Sequence, residues 1–192
     1  MAGGATLTAG KIPVHLQEKA PASAFGGKNG QDTQASERLL NVVGLFGVCG
    51  SSTWREGVMK TLEAAGVGYF NPQVKEWTSE CAVIEAKNLA SDKVVLFVIS
   101  GDTTAYGSLA ETGFAVVNAI LNGQKVGFVV ETHVEPELDE KANSKTDTNR
   151  ARKLVRAHLK ELGETHPELR EQVFVAENLG QLVDWAVTQM KA

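Results

Sequence analysis

The run Val94-Val95-Leu96-Phe97-Val98-Ile99 constrains the fold of this chain more than any other stretch. Consecutive apolar residues rich in β-branching leave no polar side to face water, so such a strand must be covered on both sides. That is the setting of a central strand in a parallel sheet. Residues 42–48 and 125–130 repeat the pattern. Gly68-Tyr69-Phe70-Asn71-Pro72 reads as a short strand stopped by Pro72, and Gln172-Val173-Phe174-Val175 as a fifth strand. Helical segments alternate with these strands. Residues 54–65 place Val58, Leu62 and Ala65 on one face and end at Gly66. Further helices are expected over 79–89, with Thr78 or Ser79 as cap, from Ser108 to a stop at Asn122-Gly123, over 148–162 with Gly163 as stop, and over 179–190.

Strand–helix alternation implies helices on both faces of a parallel sheet. With right-handed crossovers, five strands favour a doubly wound α/β fold of flavodoxin-like or Rossmann-like order. The crevice then lies at the carboxyl ends of the first and third strands. The expected organisation is one α/β domain over residues 39–192. It follows an N-terminal arm, residues 1–38, rich in Gly, Ala, Ser and Asn. Within the arm, Pro13 restricts residues 11–16 to an edge or a non-strand. The acidic residues between Glu131 and Asp147 read as a surface loop or lid.

Composition narrows the function. A formal net charge of −4 without a basic stripe argues against nucleic acid as partner. No apolar run reaches the roughly 20 residues that span a bilayer, and no basic-then-apolar leader opens the sequence. Two cysteines, Cys49 and Cys81, outside any C-x-x-C pair fit a reducing, cytoplasmic setting. His15, His133, His158 and His166 are scattered, so neither a metal nor a cofactor is expected. No Walker loop, G-x-G-x-x-G or G-x-S-x-G motif is present.

The loops at the crevice carry the candidates. Gly50-Ser51-Ser52-Thr53 precedes a helix and offers N–H groups and hydroxyls to an anion or sugar, or simply caps that helix. Arg55 suits a phosphate or a solvated helix face. Asn71 fits a base or sugar edge, or a turn before Pro72. Trp77 fits base stacking or the core. Glu85 lies among Val83, Ile84, Ala86 and Leu89, so partial burial is expected. In Ser108-Leu109-Ala110-Glu111 two readings compete: a capping box in the first helical turn, or Glu111 as a nucleophile at the carboxyl end of a central strand.

In one order, Gly50-Ser51-Ser52-Thr53-Trp54-Arg55, Tyr69-Phe70-Asn71-Pro72-Gln73, Trp77, Glu85, Leu96-Phe97 and Gly107-Ser108-Leu109-Ala110-Glu111-Thr112-Gly113 occur in this chain. This resembles the nucleoside 2-deoxyribosyltransferase-like family over residues 42–130. The resemblance implies an enzyme that breaks the N-glycosidic bond of a (deoxy)nucleoside or nucleotide, with Glu111 attacking the anomeric carbon and Glu85 near the base. It implies substrate contacts from Gly50, Ser51, Ser52, Trp54, Arg55, Asn71, Trp77 and Ser108, and a homo-oligomer. Transfer to another base and transfer to water both remain open. The alternatives are a non-catalytic nucleotide-binding module, and a lysine-decarboxylase-like phosphoribohydrolase, whose Gly-Gly-x-Gly-Thr motif is missing here.

Overall fold

The structure is a computed structural model that describes residues 39–133 and 142–192. The proposed arm and residues 134–141 of the acidic stretch lie outside the described residues. In chain order the elements are β1 (Leu40–Gly47), α1 (Trp54–Ala64), β2 (Tyr69–Phe70), α2 (Ser79–Ser91), β3 (Asp92–Ile99) and α3 (Tyr106–Asn122). They continue with β4 (Lys125–Val130), α4 (Ala142–Thr165), a 3-10 turn (Pro167–Glu171), β5 (Val173–Val175) and α5 (Leu179–Lys191). The five strands are all parallel in the order β2-β1-β3-β4-β5, the flavodoxin-like order expected.

The core follows from the apolar runs. β3 is buried almost throughout, with Val94, Leu96, Phe97 and Ile99 fully inaccessible. Helices α1 and α5 touch each other on one side of the sheet, and α2, α3 and α4 form a contacting series on the other. Two glycines set close approaches. Gly47 has φ +112, and a Cβ there would strike the Val98 carbonyl of β3, so only glycine lets β1 turn away at the crevice. At Gly127 a Cβ would run into Leu182 and Trp185, so its absence lets α5 settle onto β4.

Three local expectations are corrected. First, α3 starts at Tyr106, not Ser108. Ala105 occupies the cap position in the left-handed region, φ 59, and no side chain caps the helix. Ser108 is buried inside the first turn, and Glu111 is in the second. The capping box is therefore not formed. Second, α4 continues through Gly163 to Thr165. Arg170 lies against that glycine and donates from Nε to its carbonyl at 2.6 Å, so the residue stays helical despite its poor propensity. Third, residues 142–147 of the acidic stretch are helical rather than loop.

Candidate functional site

At the carboxyl ends of β1 and β3 the chain encloses a crevice of roughly 580 Å³. Its floor is the end of β1 and the following turn, Gly47 to Gly50. Pro72, Gln73, Val74, Lys75 and Trp77 form one wall, joined by Glu85 of α2. Thr103 and Ala105 precede α3 on the other side, and Gly107, Ser108 and Glu111 project from α3 itself. Sheet order explains the meeting: β1 and β3 are neighbours with reversed continuation, so the loops after them splay apart and leave a gap.

Of the residues expected from sequence, Gly50, Trp77, Glu85, Ser108 and Glu111 line this crevice. Trp77 is 65% exposed, so it is a rim residue and not core. The others are not part of the lining. Ser51 is exposed outside the lining. Ser52 is buried, its Oγ 3.1 Å from Ser100 Oγ, and Ser100 in turn donates to Asp102. This bridge ties the loop after β1 to the loop after β3. Trp54 is buried and donates from Nε1 to the Val48 carbonyl at 3.0 Å. The Asn71 side chain accepts from Gln73 N at 3.0 Å, which is the turn-forming role. Gln73 then donates to the Gly50 carbonyl at 3.1 Å and holds two crevice loops together.

Arg55 is neither on a solvated face nor turned to the crevice. It is fully buried, stacked 4.4 Å from the Trp54 ring centroid. Its N–H groups donate to the carbonyls of Leu45, Val48 and Gly47 at 3.0, 2.5 and 3.3 Å, and to Cys49 Sγ at 3.4 Å. The sequence offers no sign of this, because an arginine at the start of an amphipathic helix ordinarily faces water. Nor does it mark a second buried arginine. Arg152 of α4 donates to the carbonyls of Ile99, Ser100, Glu131 and Thr103 at 3.2, 2.9, 2.8 and 2.7 Å. Both guanidiniums fasten the carboxyl ends of strands from which the crevice loops leave. His133 adds to this clasp, with Nδ1 at 2.8 Å from the Gly101 carbonyl. Gln73 and Lys75 are crevice residues that sequence reasoning does not single out, although their place after the second strand puts them there by topology alone.

The electrostatics separate the carboxylates. Burial raises the Glu111 carboxyl above its usual range, and the charge of Glu85 raises it further. Burial also raises Glu85, against a hydrogen bond from Trp77 and the charge of Arg55. Asp102 moves the other way. Burial pushes it up, but hydrogen bonds from Ser100 and Ser52, its own backbone and the charge of Arg152 together bring it below the ordinary range. Two carboxyls that hold protons more tightly than usual thus share one crevice, while a third, ionised one sits behind it. No cluster of His, Cys, Asp and Glu suited to a metal occurs among the described residues. Nor is any helix among them long and apolar enough to cross a membrane.

The fold and this crevice define a class: flavodoxin-like α/β proteins with a pocket of small-molecule size at the topological switch point. More particularly, residues 42–134 match the model of the family described as nucleoside 2-deoxyribosyltransferase like. This part of the chain, which carries β1 to β4 and the crevice loops, is what is similar to that family. No curated protein matches the chain.

Proposed function

We propose that the crevice cleaves the N-glycosidic bond of a nucleoside or nucleotide, with Glu111 as nucleophile. The observation that carries this reading is that Glu111 lines a pocket beside a second acid, Glu85, opposite the Gly50 turn, and caps nothing. Two interacting carboxyls titrate as a pair and between them hold one proton over a range of pH. In the productive form Glu111 is ionised and Glu85 protonated. The Glu111 carboxylate attacks the anomeric carbon as the bond to the base breaks. Positive charge then developing on the sugar favours the buried carboxylate that was costly beforehand. The leaving nitrogen takes its proton from Glu85 directly or through water. A second base, or water, next attacks the same carbon and frees Glu111. The rim indole of Trp77 suits stacking on the base.

The test is incubation of the full chain with a panel of nucleosides and 5′-nucleotides, with and without an acceptor base, followed by chromatography. Base release or exchange that is lost in Glu111→Ala supports the proposal, as does a sugar adduct on Glu111 by intact mass with a slow fluorinated substrate. Turnover that survives Glu111→Ala refutes it.

A further inference from the structure

We propose that Trp77 is a positioning residue for the acid Glu85: its indole N–H holds one carboxyl oxygen, so that the proton rides on the other, the one left to meet the leaving base. For its consequence the proposal rests on the glycosidic-bond reading of the crevice. Three tryptophans are present in the chain, and two are held by packing. Trp54 is buried, with its Nε1–H on the Val48 carbonyl at 3.0 Å. Trp185 stacks on Phe174 with ring centroids 5.1 Å apart. Trp77 has neither kind of place. It is 65% exposed, in the irregular link between β2 and α2, shortly before α2 begins at Ser79. So large an apolar ring gains little stability by standing in water. What it reaches is Glu85, half-buried on α2 and lining the same crevice, and the indole hydrogen-bonds to that carboxyl.

The chemistry of the indole makes this bond directional. Its N–H donates and cannot accept. The carboxyl oxygen it meets therefore carries no proton. When Glu85 is protonated, the proton sits on the other oxygen and is free for the leaving nitrogen. Without the indole, either oxygen can carry it. The bond uses the edge of the ring, so the ring's faces stay open to stack on the base. The other charged groups around Glu85 do not share this role. Arg55 of α1 acts on it through charge, while its N–H groups donate to the carbonyls of Leu45, Val48 and Gly47 and to Cys49 Sγ. Glu111 of α3 is a like charge, and Lys75, in the same link as Trp77, lines the crevice. Burial favours the protonated form of Glu85, and the indole bond opposes it in part by favouring the charged form. One contact thus sets both the side and the strength of the acid.

The experiment compares the pH dependence of kcat and kcat/KM on a nucleoside for the full chain and for Trp77→Phe, which keeps a stacking face and removes the N–H. The variant is expected to lose about tenfold in kcat while KM changes by less than about twofold. Losing a hydrogen bond to the charged form raises Glu85, so the alkaline limb of kcat/KM should move up by about one pH unit. A residue that only stacks on the base would leave kcat and the limb in place, and that result overturns the proposal. A second readout needs no substrate. The part of the tryptophan emission that Trp77→Phe removes should change with pH as Glu85 titrates. That change is expected to persist in Glu111→Gln and to vanish in Glu85→Gln. Emission that does not depend on Glu85 overturns the proposal. A chain without turnover on any nucleoside or nucleotide refutes the glycosidic reading, and the catalytic use of the contact falls with it. The emission then still reports the contact itself, so the two failures are told apart.

Discussion

Asp92 opens β3 at the end of the sheet away from the crevice, and it is fully buried. Neither carboxyl oxygen has a hydrogen-bond partner among the described residues. A Cβ at Gly44 of the neighbouring β1 would collide with this carboxyl, so the missing side chain lets the carboxyl lie against β1. Burial raises its pKa from 3.8 to about 8. Folding therefore takes up a proton at neutral pH. The sign follows from linkage. The folded value lies above the unfolded one, so this group's contribution to stability is complete below about pH 4 and is lost as pH rises toward 8. Over that window the loss is about 1.4 kcal/mol per pH unit. By pH 7 it amounts to roughly 4 kcal/mol. An asparagine at this position would not ionise, but its amide would stay unpaired at about 1–3 kcal/mol. Asp92→Asn is thus expected to be near neutral or destabilising at about pH 4 and more stable than wild type by about 1–3 kcal/mol at about pH 7. Guanidinium unfolding at several pH values, followed by far-ultraviolet circular dichroism, measures both curves. If the two run parallel from about pH 4 to about pH 8, the carboxyl is not held protonated by burial and the reasoning fails.

Replacing Glu111 with Gln should lower turnover on the order of 10³-fold or more while leaving the melting temperature within a few degrees, since no cap is lost; steady-state kinetics and a thermal melt check both. Glu85→Gln removes the acid that protonates the leaving base, so kcat/KM should fall and the alkaline limb of the pH–rate profile should be lost, read across a buffer series. Arg152→Met takes a donor from four carbonyls, of which that of Ile99 keeps the Glu131 N–H, and should cost about 3–5 kcal/mol in chemical denaturation. Lys75 lines the crevice while Arg55 is held by backbone carbonyls, so Lys75→Ala should raise KM for a 5′-nucleotide about tenfold and leave a free nucleoside nearly unchanged, if phosphate binds there.

The sheet is legible in the sequence because its strands are long apolar runs with clear stops. β4 falls at residues 125–130 as expected, and Gly123, with φ +69, ends α3 where the Asn-Gly pair says it should. The start of α3 is not legible. Its signal is a left-handed Ala105, and alanine carries no mark of that conformation, whereas Ser108 and Glu111 imitate a cap by spacing alone. Glu111 and Glu85 are readable as crevice residues because strand order fixes which loops converge. Arg55 and Arg152 are not, since burial of a guanidinium depends on carbonyls that distant strand ends leave open. Asp92 is hidden for a related reason: an acid beside an apolar run looks like the strand's solvated end.

Arg152 lies beyond the stretch that matches the family model, yet it grips the ends of both β3 and β4. The last third of the chain is therefore no detachable tail. Any chimera that exchanges α4 for a foreign helix has to bring a long cationic side chain to the same spot, or the loop leading to Glu111 loses its anchor.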